Sequence, residues 1–164
     1  ALRVAACAWR HRRRSLMHTS HSFAPDAQSV RQVRYFVRNA LSAAGAGEEA
    51  VDDAVLLASE VAGNVVRHAK TDYEVTVALS SGLARIEFHD GSSVMPAVRA
   101  LGGPDDEGGR GLAVVATVAL EWGVHDAPAG KVVWFVVPLA SPAGRAQNVP
   151  DQEEVAGAAA GPRP

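Results

Sequence analysis

A glutamate and an asparagine one helical turn apart, an aspartate after a strand, and a glycine-rich approach to a helix are the parts of this chain that could do chemistry. Glu60 and Asn64 lie in Ser59-Glu60-Val61-Ala62-Gly63-Asn64-Val65-Val66-Arg67-His68-Ala69. In a helix, positions four apart project from one face, so a carboxylate would stand beside an amide. Much later come Asp90-Gly91, and then Gly109-Arg110-Gly111-Leu112 ahead of an apolar helical pattern. Glycine lets the backbone approach an anion closely. The unpaired amides of a first helical turn point at that anion with the positive end of the helix dipole behind them. This suits a phosphate, although Gly-x-Gly is not diagnostic alone, and Glu60 with Asn64 also fits an ordinary polar stripe on an amphipathic helix.

The elements that must position these residues can be read from periodicity. Val51, Val55, Ala58, Ala62 and Val65 recur at three- and four-residue steps, with Glu48, Glu49, Asp52 and Asp53 crowding the N-terminal end, so a helix is expected over Glu48 to Ala69. Val75 to Leu79 and Leu83 to Phe88 read as two strands joined by the Ser80-Ser81-Gly82 turn, which puts Asp90 at a strand exit. An irregular stretch with Pro96, Gly102, Gly103, Pro104 and Asp105-Asp106-Glu107 then leads to a helix over Leu112 to Leu120. Glu121 to His125 and Lys131 to Val137 read as two more strands around an Asp126 to Gly130 turn. Upstream, Val30, Val33, Phe36, Val37 and Leu41 are spaced for a helix, with Asp26 as its N-cap and Gly45 and Gly47 marking its end.

Taken together, helix-borne Glu60 and Asn64, Asp90 after a strand, the long loop and Gly109-x-Gly111 resemble the ATP-binding fold of gyrase-type ATPases, Hsp90-class chaperones, histidine kinases and MutL. Within that superfamily the chain is most similar to the bacterial anti-sigma factor serine/threonine kinases and their actinobacterial relatives, over about Phe23 to Leu139. The specific pieces are Leu56 to Ala69, Gly109-Arg110-Gly111-Leu112, and Gly130-Lys131-Val132-Val133-Trp134-Phe135.

The resemblance implies a two-layer α/β sandwich, with helices on one face of a mixed, mainly antiparallel sheet, and with ATP and Mg²⁺ as cofactors. By position, Asn64 would bind the Mg²⁺ that bridges the phosphates, a hard ion that takes oxygen ligands. Glu60 would be the catalytic general base, taking a proton from a substrate hydroxyl. Asp90 would accept a hydrogen bond from the adenine amino group; its alternative role is a turn cap. Gly91, Gly109, Arg110, Gly111 and Leu112 would complete the ATP site, with the loop from Asp90 to Gly111 as a lid. Arg67 would lie near the phosphates, and His68 is read as solvated or structural. Arg34 falls where relatives carry an arginine that grips the partner protein, the rival reading being a surface arginine with no task.

The implied activity is an anti-sigma regulatory factor that phosphorylates an antagonist protein on serine or threonine, controlling a sigma factor by partner switching. Partners would be the sigma factor, the antagonist or both; relatives often dimerise, and the sequence leaves open whether two copies pair. Two departures bear on this. Val94 replaces the glycine expected four residues after Asp90, and Val132 replaces the threonine of a Gly-Lys-Thr, removing a hydroxyl expected near adenine at a cost of roughly 0.5–1.5 kcal/mol. They favour a second reading, a noncatalytic ATP-binding or nucleotide-independent interaction module of the same fold. A detached histidine-kinase catalytic domain is a third reading, disfavoured because no phosphoacceptor helix pair precedes the site.

Composition sets the outer bounds. At 164 residues and 48% hydrophobic the chain suits one well-packed domain, and a formal net charge of −2 argues against general nucleic-acid binding. The basic run Arg10-His11-Arg12-Arg13-Arg14 lies in a short segment read as a solvated tail. No stretch is apolar enough to span a membrane. Ala1 to Trp9 precedes the basic run, the reverse of a secretory signal, so cytoplasmic residence is expected. A single Cys7 fits a reducing compartment and receives no role. The domain organisation expected is a flexible extension over 1–21, in which Met17 is a candidate translation start, an ATP-binding domain over 22–140, and a disordered Ala-, Gly- and Pro-rich tail over 141–164.

Overall fold

The computed structural model describes residues 17–95 and 110–140, for Arg110 the backbone alone. The elements are β1 (Met17–Phe23), α1 (Ala27–Ala43), α2 (Glu48–Asn64) continuing into a π-helical turn (Val65–Ala69), β2 (Tyr73–Ser80), β3 (Leu83–Asp90), α3 (Arg110–Val118), β4 (Glu121–Ala127) and β5 (Gly130–Pro138). The strands form one sheet in the order β1-β2-β3-β5-β4. Every pairing among the described residues is antiparallel, so no parallel component joins the expected mainly antiparallel sheet.

Alternation along the strands sends Val75, Val77, Ile86, Phe88, Val133 and Phe135 to one face. There they join Val33, Val37, Leu41, Leu57 and Val61 of α1 and α2, and Leu112 and Val115 of α3, in a single core. The fold is thus three helices on a five-stranded sheet, the α/β sandwich expected. Across four strands runs an aromatic row, with Phe23 and Tyr73 at 5.6 Å between ring centroids, Tyr73 and Phe88 at 6.4 Å, and Phe88 and Phe135 at 6.4 Å. Tyr73 also bonds the hydroxyl of Ser29 at 2.8 Å, tying β2 to the start of α1. Burial raises its phenol pKa above the ordinary 10.0; the Ser29 bond opposes the shift and Asp26 adds to it.

Asp26 caps α1 as its position predicts, its Oδ1 accepting from the Ser29 amide at 2.8 Å. Gly47 opens α2 without a side-chain cap, and Glu48 and Glu49 in the first turn face the positive end of the helix dipole instead.

Two expectations need correction. The 1–21 extension reaches too far, because residues 17–21 belong to β1 and pair with Leu79 to Val75. The polar Met17-His18-Thr19-Ser20-His21-Ser22 has no alternation to signal a strand, and a long-range partner supplies its backbone hydrogen bonds. The uniform helix to Ala69 ends early: from Val65 the backbone widens to π geometry, the Lys70 amide bonds the Val65 carbonyl five residues back at 2.9 Å, and Lys70 closes the turn at φ 54°. The basic run and Cys7 lie outside the described residues, as does the tail over 141–164. Among those described, no helix is long and apolar enough to cross a membrane.

Candidate functional site

The first pair of side chains stands on the last turns of α2. Glu60 and Asn64 are both half-buried and share the face against which α3 docks. Gly111, in the first turn of α3, is buried against them. A β-carbon on Gly111 would stand 2.7 Å from Glu60 Oε2, 3.3 Å from Asn64 Nδ2 and 3.3 Å from Glu60 Cβ. The glycine-rich approach and the Glu60/Asn64 pair, 47 positions apart between Asn64 and Gly111 in sequence, therefore form one place. The first-turn amides of α3, which have no partner within the helix, belong to the same contact.

Leu112, also expected at the site, sends its side chain into the core, so only its backbone is available there. Gly109 and the rest of the loop over 96–109 lie outside the described residues. Arg110 begins α3.

The second part of the site is at the end of β3. Asp90 is 1% exposed, and its Oδ1 accepts from Lys131 Nζ at 2.8 Å and from the Ser92 amide at 2.9 Å. Its Oδ2 is buried with no hydrogen-bond partner among the described residues. A buried acceptor left unpaired costs about 1–3 kcal/mol, more when charged, so this oxygen is suited to accept from a donor. Gly91, next in the chain, is exposed and donates its amide to Thr71 Oγ1 at 2.9 Å. From β5, Gly130 lies directly on the backbone here. Its φ is +139°, and a β-carbon on it would fall 1.9 Å from the Asp90 carbonyl oxygen.

The register of β3 and β5 decides which side chain faces Asp90. Asp90 pairs with Lys131, and His89 pairs with Val132. Asp90 shares the helix-facing side of the sheet with Ile86 and Phe88, and Lys131 shares it with Val133 and Phe135, whereas Val132 points to the other face in phase with Trp134. A threonine at position 132 would not have faced Asp90; the side chain that does is Lys131. Its Nζ also donates to the Ser92 carbonyl at 3.3 Å, so it ties Asp90 to the start of the loop.

The remaining sequence candidates fall around this centre. Arg67 is exposed in the π-helical turn, and its guanidinium donates to Asn64 Oδ1 at 3.0 Å. His68 is exposed. Val94 is exposed, with its amide bonded to Ser92 Oγ at 3.2 Å. Arg34 is exposed on α1, with Nε held by Ser59 Oγ at 2.7 Å, so the residue beside Glu60 orients it.

Lys131, Thr71 and Ser92 were not named from the sequence as site residues. Gly130-Lys131 at a strand start was visible, but only the β3–β5 pairing shows what the lysine opposes. No group of three His, Cys, Asp or Glu side chains clusters for a metal among the described residues. From the named candidates, a hard cation would find the Asn64 amide oxygen and otherwise phosphate and water, the habit of Mg²⁺. An anion would meet the amides of the first turn of α3, and a donor-bearing ring edge would meet Asp90 Oδ2. The arrangement thus offers groups of the polarity that a nucleotide and its metal require.

Comparison with known proteins bears on that arrangement. The family model described as the histidine kinase-like ATPase domain matches residues 23–137. No curated protein matches the chain at a significant level. Among solved structures, the RsbU and RsbW domains of Rv1364c from Mycobacterium tuberculosis superimpose with a TM-score of 0.57 at 20% identity, covering 73% of this chain and 32% of that one. This chain therefore spans about a third of that structure's length, and the likeness is one of fold.

Proposed function

The chain belongs to the histidine kinase-like ATPase domain family, and on that premise we propose that it binds Mg·ATP and phosphorylates a protein antagonist on serine or threonine, so controlling a sigma factor. The observation that carries the nucleotide part is the pair of fits described above: Gly111 seated on Glu60 and Asn64, and the buried Oδ2 of Asp90, without a partner among the described residues. The regulatory part rests on the similarity of the Leu56 to Ala69 and Gly130 to Phe135 segments to anti-sigma factor kinases, and on a fold shared with the RsbU and RsbW domains.

In this reading each residue has a task. Asp90 Oδ2 would accept from the base's amino group, the first-turn amides of α3 would hold phosphate oxygens, and Asn64 Oδ1 would hold the metal. ATP supplies the transferable phosphoryl group and Mg²⁺ offsets its charge. Arg67, which donates to Asn64 Oδ1, would have to give up that bond for the metal to bind there, since a guanidinium and a dication do not share one amide oxygen without repulsion, and would then be free to pair with a phosphate. Glu60 takes the proton from the attacking hydroxyl. The phosphate then carries about two negative charges into the contact surface, which opposes docking and frees this protein for its sigma factor.

Calorimetric titration of Mg·ATP and Mg·GTP into the wild type and Asn64→Ala tests the site without a known partner. ATP-selective binding that the variant loses supports the reading. With a candidate antagonist in hand, Glu60→Gln should abolish transfer and spare ATP binding. Equal phosphorylation by the two proteins would remove Glu60 as the base.

One observation favours the second reading, a nucleotide-independent interaction module: Asn64 Oδ1 and Asp90 Oδ1 already have internal partners in Arg67 and Lys131. No binding up to millimolar ATP would select it.

A further inference from the structure

We propose that Lys131 reads the nucleobase, by donating to the ring nitrogen next to the amino group that Asp90 takes, and so makes this site specific for adenine through two contacts. The inference rests on the ATP-site reading above and assigns a residue to it.

The argument begins with what Lys131 has left to give. An ammonium has three N–H donors and no acceptor. One goes to Asp90 Oδ1 at 2.8 Å and one to the Ser92 carbonyl at 3.3 Å, which among the described residues leaves the third. Lys131 is 6% exposed and Asp90 1%, so neither group is dissolved in bulk water. A single carbon joins the two oxygens of Asp90, and the lysine is bound to one of them. Asp90 Oδ2 and the third N–H of Lys131, both without a partner among the described residues, thus supply an acceptor and a donor within one buried ion pair where β3 ends and β5 begins.

Adenine carries the complement on one ring edge. Its exocyclic amino group donates and its N1 accepts, both attached to the same ring carbon. Seating the amino group on Asp90 Oδ2 brings N1 toward Lys131. A 6-oxopurine reverses both atoms: its carbonyl oxygen would meet the lone pairs of Oδ2, and its N1–H would meet a cation. A hydroxyl or a water in place of the ammonium could turn to suit either arrangement, whereas a donor-only cation cannot. A charge-assisted bond in a desolvated site is stronger than a neutral one.

The pair is also held in place. Gly130 packs on the Asp90 carbonyl so tightly that no other residue fits, which fixes Lys131 opposite Asp90 in the register. The bond to the Ser92 carbonyl ties the lysine to the first residues of the loop.

The test compares Mg·ATP, Mg·1-deaza-ATP, in which N1 is replaced by C–H, and the magnesium complex of inosine triphosphate, by calorimetry on the full chain. The wild type is expected to bind 1-deaza-ATP at least about tenfold more weakly than ATP, and inosine triphosphate more weakly still. Lys131→Met should bind ATP at the level of 1-deaza-ATP and should no longer distinguish the two. Because the variant leaves Asp90 buried without its cation, it can fail to fold; the wild-type comparison needs no variant and decides by itself. Equal affinity of the wild type for ATP and 1-deaza-ATP would overturn the role of Lys131 and leave the ATP site standing. Failure of the wild type to bind any of the three nucleotides would overturn the ATP-site reading, and this inference with it.

Discussion

Gly111 of α3 lies so close to Glu60 of α2 that a β-carbon on it would stand 2.7 Å from Glu60 Oε2. A methyl group here fits only if the Glu60 carboxylate moves aside. The closeness also means that the carboxylate proposed as base and the amides proposed to hold phosphate are parts of the same contact.

Gly111→Ala should therefore separate site from stability. Alanine is the better helix former by about 1 kcal/mol, and Glu60 Oε2 is the far end of a side chain that can move aside. Melting temperature is expected to stay level or rise. Phosphoryl transfer should fall tenfold or more, because a displaced base loses its orientation. A variant with unchanged transfer and a lowered melting temperature would mean that the contact is only packing.

Gly130→Ala should act in the opposite way. Its β-carbon would lie 1.9 Å from the Asp90 carbonyl oxygen, a backbone atom that cannot step aside, and its φ of +139° strains any L side chain. Loss of about 3 kcal/mol or more is expected, read as a drop in the urea midpoint, together with loss of ATP binding. A midpoint equal to the wild type's would show that the β3–β5 junction is looser than described.

Alkaline stability should depend on Tyr73. Its phenol pKa is raised by burial from the ordinary 10.0, so the unfolded chain loses that proton first. The associated stability is present below about pH 10 and declines as pH rises from the unfolded value through the folded one. Melting curves between pH 8 and 11 should show a steeper alkaline loss for the wild type than for Tyr73→Phe. Phenylalanine gives up the Ser29 bond, at about 0.5–1.5 kcal/mol, at every pH. Parallel curves for the two proteins would count against a titrating Tyr73.

Arg34 can be assigned by a similar separation. It is exposed, and among the described residues its Nε bond to Ser59 is what ties it to the body of the protein. Arg34→Ala should change stability by less than about 1 kcal/mol and weaken partner binding by tenfold or more if the arginine grips the partner. Unchanged affinity for a confirmed sigma factor or antagonist would leave it a surface residue.

Much of this molecule can be read along the chain. Asp26 ahead of an apolar 3.6-residue period marks the start of α1, and Ser81-Gly82, both at positive φ, mark the β2–β3 turn. Glu60 and Asn64 share a face by helical spacing alone. The motif order carried the family resemblance, since those residue types recur at those separations. β1 was not legible: its alternate residues are mostly polar, and a strand of that kind is defined by the partner that satisfies its backbone.

What only the tertiary structure decided is which distant residues touch. Periodicity assigns a residue to a face of its own element, but the register between two strands depends on turns and core packing elsewhere. One position of slip would have put Val132 on the helix-facing side opposite Asp90; the β3–β5 pairing put Lys131 there. In the same way, Gly-x-Gly before a helix is a local pattern, and its meeting with Glu60 exists because α3 docks across α2 over a shared core. The sequence by itself determined the elements, their faces and the inventory of chemical groups. The docking of α3 and the antiparallel pairing of β3 with β5 determined the neighbours, because those contacts come from burying one common apolar surface rather than from any local preference.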